Sequence, residues 1–155
     1  MSQTVSSRWM SWRGLRWNSD LDQMGSIVQF CDRMLQFLCE TSTSEDFLKQ
    51  LLPEMATEFS AQRICIWERT PKWELLTELG RAGSNETDFR QFEEILDRGE
   101  ACFSSQGSVP ALMVPLEIGA GTSLVLVMEG SRIDSNMLES AVACGRFLAH
   151  CLHLI

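Results

Sequence analysis

The sequence predicts an α+β domain: a central antiparallel sheet of about five strands, with the terminal helices packed on one face and a short helix and loops on the other. Two observations support this prediction. Apolar residues near both ends of the chain have helical spacing, and short β-branched runs lie between them. The chain has 155 residues, of which 45% are hydrophobic and 22% charged, enough for one domain with a sizeable core.

The first predicted helix covers residues 21–40 and carries an apolar stripe with heptad spacing. Steps of three and four residues separate its members, which are Leu21, Met24, Val28, Cys31, Leu35 and Leu38. A second helix is expected from Ser44, its predicted N-cap, to about Phe59. Pro53 lies inside this second helix and predicts a kink or a break there.

Short runs rich in β-branched and apolar residues occupy the middle of the chain. They predict strands at 63–68, 73–79, 101–104, 111–118 and 123–129. A helix over residues 86–97, closed by Gly99, separates the second strand from the third. The glycine turn at residues 119–121 joins the last two strands into a hairpin.

The last predicted helix covers residues 134–155, with Asp134 or Ser135 as its cap. Its apolar stripe repeats the steps of three and four through Leu138, Ala141, Gly145, Leu148, Leu152 and Ile155. The stripe is still in phase at Ile155. We therefore expect this helix to continue into a downstream output domain beyond Ile155.

Charge is distributed unevenly along the chain. The net charge is −8, which argues against a domain that grips nucleic acid, because such binding depends on clustered lysine and arginine. Residues 1–20 carry +2 and the remaining residues −10. The first twenty residues also hold Trp9, Trp12 and Trp17, so they predict either a flexible tail or a short docking segment.

No apolar run is long enough to span a bilayer, and no secretory signal precedes the domain, so the sequence predicts a cytoplasmic protein. The six cysteines are Cys31, Cys39, Cys65, Cys102, Cys144 and Cys151. They contain no C-x-x-C pair, and we expect reduced thiols in or near the core. His150 and His153 lie too far around the last helix from Cys144 and Cys151 to share one zinc ion, so no metal is predicted and any cofactor is unknown.

One family resemblance emerges from the order of these elements. The region 111–128 resembles the hairpin of the GAF domain family. It consists of the run Ala111-Leu-Met-Val-Pro-Leu116, a glycine turn and the apolar run 122–128. The run 133–143 is similar to the closing helix of that family, and the resemblance covers about residues 44–154. It implies a regulatory sensor domain of a bacterial-type signalling protein, with outputs such as a histidine kinase or a transcription activator.

The resemblance also implies a small-molecule pocket on the sheet face opposite the terminal helices, beneath the helix at 86–97. The candidate lining residues are Trp67, Phe89, Phe92, Cys102, Phe103 and Met113. Arg63, Arg69 and Glu117 are the candidates that would orient a polar ligand. The alternative is a second small core that holds no ligand.

The two helical stripes predict a homodimer. The interface candidates are Leu21, Met24, Val28, Leu35, Leu138, Ala141, Gly145, Leu148 and Leu152. The alternative is that the two terminal helices bury these apolar residues against each other within one chain. For function, a ligand-free dimerisation or scaffold module is the alternative to a sensor.

No catalytic constellation stands out, so the sequence predicts no enzyme. One thiol chemistry stays open, because small reductases of free methionine sulfoxide have a similar fold. In that case Cys65 and Cys102 would be the nucleophile and the resolving thiol.

Overall fold

The computed structural model describes residues 17–80, 88–105, 109–119 and 121–155, and it describes side chains from residue 25 onward. Its elements in chain order are α1 (Trp17–Glu40), α2 (Ser44–Phe59), β1 (Arg63–Arg69), β2 (Trp73–Gly80), α3 (Phe89–Arg98), β3 (Cys102–Ser104), β4 (Ala111–Gly119), β5 (Thr122–Glu129) and α4 (Leu138–Leu154). A single 3₁₀ turn, Ser135–Met137, precedes α4. Over these ranges no helix combines the length and the apolarity that crossing a bilayer requires.

The five strands form one antiparallel sheet in the order β2-β1-β5-β4-β3. The β1–β2 and β4–β5 hairpins are joined through pairing of β1 with β5, which places the first and last strands of the sequence side by side in the sheet. The α+β class predicted from the sequence is therefore confirmed. A bulge interrupts the outer hairpin, because Ile66 and Trp67 of β1 pair with Thr77 and Leu75, so that Leu76 has no residue opposite it.

One face of the sheet builds the main core together with α1, α2 and α4. The strands contribute Ile64, Ile66, Leu112, Val114, Leu116, Leu124, Leu126 and Met128, all buried. The helices contribute Phe30, Met34, Phe47, Leu51, Met55, Ala141, Cys144 and Leu148, which are also buried. This arrangement follows from the period of each element, because alternate strand residues and every third or fourth helix residue meet in one layer.

Helix α4 lies close against β4, and Gly145 makes that close approach possible. A Cβ atom at residue 145 would stand 2.7 Å from Cγ1 of Val114 and 3.4 Å from Cδ2 of Leu116. A separation of 2.7 Å is well inside van der Waals contact. The packing of this helix on the sheet therefore requires glycine at residue 145.

Four helix starts differ from the sequence-based expectations. Helix α4 begins at Leu138 rather than residue 134, because the 3₁₀ turn Ser135–Met137 precedes it. Helix α1 is already present at Trp17, the first residue that the structure describes, rather than starting at residue 21, and no proline or glycine interrupts residues 17–21. The N-cap of α2 is Thr43 instead of Ser44, since its hydroxyl accepts a hydrogen bond from the Asp46 N–H at 3.1 Å. Helix α3 begins at Phe89 rather than residue 86, because Asp88 accepts from the Arg90 N–H at 3.0 Å and caps it there.

Of the kink or break predicted at Pro53, the break is wrong, because α2 is continuous through that residue. Pro53 is exposed, so its ring does not disturb the buried side of the helix. Its carbonyl accepts a hydrogen bond from the Thr57 hydroxyl at 3.1 Å. The buried residues of α2 therefore keep a single helical phase on both sides of the proline.

Candidate functional site

Within the ranges that the structure describes, α3 is the helix that covers the second face of the sheet. Beneath it lie the buried strand residues Cys65, Met113, Val125 and Val127, and α3 itself buries Phe92 and Ile95. The helix is capped at its start by Asp88 and at its end by Gly99, whose φ is 65° and whose N–H donates to the Ile95 carbonyl at 2.8 Å. A helix of ten residues with only two buried side chains is attached to the sheet by a small contact.

Four aromatic rings meet where α3 crosses the β1–β2 hairpin. The Trp73 and Phe89 rings are stacked, with centroids 6.2 Å apart and an interplanar angle of 4°. Trp67 meets Phe89 edge-on at 5.3 Å, and Trp73 meets Phe92 edge-on at 5.2 Å. Such pairs add to the burial of apolar area. Phe89 remains 39% exposed, so this aromatic cluster reaches the surface.

A polar group closes the outer side of the aromatic cluster. The Glu93 carboxylate accepts a hydrogen bond from Nε1 of Trp73 at 2.8 Å and is also paired with Arg69. The Arg69 guanidinium stands 5.8 Å from the centroid of the Trp73 ring, within cation–π range. Arg69, which the sequence offered as a ligand-orienting cation, is thus held by contacts within the protein.

The other end of this face carries a second ion cluster. Nε of Arg63 donates to Glu78 and its terminal nitrogen donates to Glu129, each at 2.7 Å. The side chains of Arg63 and Glu129 are only 12% and 10% exposed. Burial by itself would lower the pKa of Arg63, but the two hydrogen bonds outweigh it and raise that pKa above its usual value. Arg63 is therefore also committed to partners within the fold.

An open cleft of about 430 Å³ lies between α3 and β3. Its lining residues are Gln91, Glu94, Ile95, Arg98, Glu100, Ala101, Cys102, Phe103, Ser104 and Ser105. One wall is a single face of α3, and the other is the continuous segment 100–105. Glu94 and Arg98 form an ion pair at 3.0 Å across one turn, and Nε2 of Gln91 donates to Sγ of Cys102 at 3.5 Å. The cleft is therefore mainly polar, with both signs of charge at its rim.

Comparison with known proteins yields matches among solved structures alone. No family model and no curated protein matches the sequence. The nlh2 GAF domain of A. aeolicus, solved in an inactive state, superposes with a TM-score of 0.67 at 13% identity, over 85% of this chain and 98% of that one. The GAF domain of a phosphoenolpyruvate-protein phosphotransferase from Coxiella burnetii gives 0.65 at 12% identity, over 80% and 90%.

A third match is the GAF domain of a protein assigned as a sensor histidine kinase from Pseudomonas syringae pv. tomato. Its TM-score is 0.61 at 14% identity, over 90% of each chain. This chain has a GAF-like fold. The resemblance found in the 111–128 hairpin is confirmed at the level of the fold.

The GAF fold places the six predicted pocket residues in two groups. Trp67, Phe89, Phe92 and Met113 pack against one another or against the sheet beneath α3 and do not line the cleft. Cys102 and Phe103 do line it, although Phe103 also packs against the main core. Glu117, the third polar candidate, is exposed on β4. The polar face of α3 was missed from the sequence, although the spacing of Gln91, Glu94 and Arg98 is a helical signal.

The two thiols proposed for reductase chemistry lie far apart in this GAF fold. The register aligns Cys65 with Val127, Val127 with Met113 and Met113 with Cys102, so that two strands separate the cysteines. Three strand spacings amount to about 14 Å, and a disulfide requires Cα atoms within about 7 Å. Burial raises the pKa of Cys65 to about 11. These two residues therefore cannot act as a nucleophile and its resolving partner in this fold.

The remaining cysteines and the histidines belong to the terminal helices. Burial raises the pKa of Cys144 to about 12 and also raises the pKa of Cys151 above its usual value. His150 and His153 are exposed, as expected from the sequence, but Nδ1 of His153 shares a hydrogen bond of 2.7 Å with the Ile118 carbonyl. Within the described ranges, no three potential ligands gather where a metal ion would fit.

The predicted interface residues of the two terminal helices differ sharply in their exposure to solvent. On α1, Val28 is 58% and Leu35 44% exposed, while Phe30 and Met34 enter the core. On α4, by contrast, Ala141, Gly145 and Leu148 are buried against the sheet of their own chain. Leu138 and Leu152 are half-buried. The Leu21 and Met24 side chains, and the predicted tail up to residue 16, lie outside the described residues.

Proposed function

We propose that this chain is a regulatory sensor domain of a signal-transduction protein. It binds a polar small molecule in the cleft between α3 and β3, and its terminal helices relay the change. The solved GAF domains that share this fold come from a phosphotransferase and a sensor kinase, among others, which supports a regulatory role. The single observation that carries the proposal is the cleft of about 430 Å³, a volume typical of small-molecule sites.

The chemistry of the cleft supports a ligand that carries both donor and acceptor groups. Glu94 and Glu100 offer carboxylates, Arg98 offers a guanidinium, and Ser104 and Ser105 offer hydroxyl groups. Arg98 and Glu94 are well exposed, so a ligand can displace their mutual ion pair at little cost. A zwitterionic or hydroxylated molecule satisfies this set of groups better than an apolar one.

The path from the cleft to the terminal helices is short. One wall of the cleft is β3, which pairs with β4, and α4 packs directly on β4 through Gly145. The other wall is α3, which buries only two side chains against the sheet. A ligand that binds more tightly to one position of α3 will shift the population toward that position, and β4 carries the shift to α4.

A thermal-shift screen tests ligand binding. The probes are amino acids, nucleotides and organic acids, and the variant Ala101→Phe fills the cleft. The matched control is Arg90→Ala, an exposed residue of α3 that does not line the cleft. We expect at least one probe to raise the Tm of the wild type and of the control but not of Ala101→Phe. A screen without any hit, or a hit that survives Ala101→Phe, would contradict the proposal.

The sensor domain also forms a homodimer through α1 in this proposal. Two exposed residues seven apart, Val28 and Leu35, continue the predicted stripe on a side of α1 that the core does not use. Sedimentation of Leu35→Glu against the neighbouring control Gln36→Glu tests it. We expect a dimer for wild type and control and a monomer for Leu35→Glu. A wild type that is monomeric at about 50 µM would refute the dimer.

A ligand-free dimerisation module is the second candidate. It is favoured by one observation, namely that the space directly beneath α3 is filled by Phe92, Ile95 and Met113 rather than open. The two candidates separate cleanly, because a dimer by sedimentation together with no hit in the thermal-shift screen would select the scaffold over the sensor.

A further inference from the structure

The outer edge of β2 is an eight-residue strand edge that pairs with no other strand in the described part of the chain. β1 occupies one side of β2, and the N–H and C=O groups on the other side point away from the sheet. The opposite edge of the sheet, β3, is only three residues long. Long free edges recruit additional strands, and natural proteins generally cover or shorten them.

This edge also exposes apolar side chains. Leu75 is 42% and Leu76 46% exposed, and the two are adjacent in the strand at the bulge. An exposed pair of leucines on a free strand edge favours association with another segment. The edge therefore offers both backbone groups and apolar surface to an incoming strand.

The charges of the hairpin indicate which kind of strand fits. Glu74 of β2 lies directly opposite Glu68 of β1, and neither carboxylate has an ion-pair partner among the described residues. Like charges in directly opposed positions destabilise a strand pair. An incoming strand that carries arginine would relieve this repulsion, whereas a second copy of β2 would bring further acidic residues to it.

We propose that a segment within residues 1–16 of this chain adds to the free edge of β2 in the same molecule. This segment contains Arg8, Arg13 and Arg16, together with Trp9 and Trp12, and has no acidic residue. Its charge complements the glutamates, and its tryptophans complement the exposed leucines. Aromatic and arginine side chains are the usual anchors of such contacts.

The first half of α1 contacts the end of α2, from which the chain continues to the β1–β2 hairpin. Ser26 of α1 donates a hydrogen bond to Glu58, near the end of α2, from which the chain enters β1 at Arg63. Arg63 pairs with Gly80, the last residue of β2. Sixteen extended residues span up to about 50 Å, and an eight-residue strand is about 27 Å long. The segment is therefore long enough to return from α1 and follow β2.

Hydrogen exchange of the full chain tests this contact. The variant W9S/W12S removes the aromatic anchors, and W9F/W12F is the conservative control. In the wild type and the control, we expect the amides of residues 73–80 to exchange about tenfold more slowly than in W9S/W12S. The amides of β5 should exchange equally in all three chains, which shows that each chain is folded. Equal exchange of 73–80 in all three chains would overturn the proposal.

A charge variant and a dilution series complete the test. R8E/R13E removes the complementary charge without touching the tryptophans, and it too should accelerate exchange at 73–80. Protection from a tail of the same molecule is independent of concentration between about 1 and 100 µM. Protection that appears only at concentrations where the chain dimerises would assign the edge to a second copy, and would also overturn the proposal.

Discussion

The two faces of the sheet are covered in different ways. The main-core face packs against three helices and buries residues such as Phe47 and Met34 completely. The other face is covered by α3, which contributes Phe92 and Ile95, and it has an ion cluster at each end. The first face holds most of the apolar burial that stabilises the fold, whereas the cover of the second face is attached through two buried side chains and is expected to open more easily.

Of the three core substitutions described below, Phe47→Ala on the main-core face should lower the stability of the protein most. Phe47 is 0% exposed in α2, so its removal leaves a cavity in the main core. We expect the free energy of unfolding to fall by about 3–5 kcal/mol. Urea denaturation followed by circular dichroism measures it, with the neighbouring exposed change Lys49→Ala as control. A loss below about 1 kcal/mol would show that this face is not the main source of stability.

The substitution Arg63→Met should lower the free energy of unfolding by about 3 kcal/mol, because it leaves the largely buried Glu129 carboxylate without its cation. The double variant R63M/E129Q removes the uncompensated charge and should recover part of the loss. Denaturation of both variants measures the difference. If R63M and R63M/E129Q were equally unstable, the charge pairing would not be the reason for the effect.

The substitution Phe92→Ala should lower the free energy of unfolding by about 2 kcal/mol. We expect this loss to be smaller than that of Phe47→Ala, because local detachment of α3 would limit it. Hydrogen exchange distinguishes the two variants. In Phe92→Ala the amides of α3 should exchange fast while those of β5 stay protected, whereas Phe47→Ala should accelerate both. Uniform acceleration in Phe92→Ala would mean that α3 and the main core unfold as one unit.

A pH dependence of stability reports on both faces. Burial raises the pKa of Cys65 to about 11 and that of Cys144 to about 12, from the usual 9.0. Above pH 9 the unfolded thiols lose protons while the folded ones keep them, so stability present below pH 9 is lost as the pH rises toward 11. Denaturation between these pH values measures the decline, which the variant C65A/C144A should reduce. An equal decline in that variant would assign it to other groups.

Thiol labelling near neutral pH compares the two faces directly. Cys65 lies beneath α3 and Cys144 lies in the main core. If α3 detaches by itself, a thiol reagent should modify Cys65 before Cys144, and mass mapping of the labelled peptides gives the order. The reverse order would contradict the idea that α3 is the more easily opened cover.

Periodicity and turn residues were sufficient to predict the element order and the five-strand sheet, because strands with alternate buried residues and glycine-ended helices leave clear patterns. The burial of α1 was not predictable in the same way. Its core-facing residues Ile27, Phe30, Met34 and Phe37 have the same steps of three and four as the predicted stripe. The period alone cannot show which of two equally spaced apolar stripes is buried, because the burial depends on contact with α2 and α4.

The cleft was harder to predict than the helix that forms its wall. The apolar residues Phe89, Phe92 and Ile95 predict α3, and the family resemblance implies a pocket beneath it. The open space lies beside the helix instead, against Gln91 and Arg98. Large aromatic side chains fill the volume beneath α3, and side-chain volume in three dimensions is not contained in a one-dimensional pattern.

The glycine at the contact of α4 with β4 also limits how that helix can move. Turning α4 about its own axis by one residue position would bring Cys144 or Arg146 to face Val114, where there is no room even for a methyl group. The sheet therefore opposes rotation of α4 about its axis, whereas a tilt that keeps Gly145 against Val114 avoids this clash. If α4 relays a signal as proposed above, the contact at Gly145 favours a tilt of the helix end over a twist.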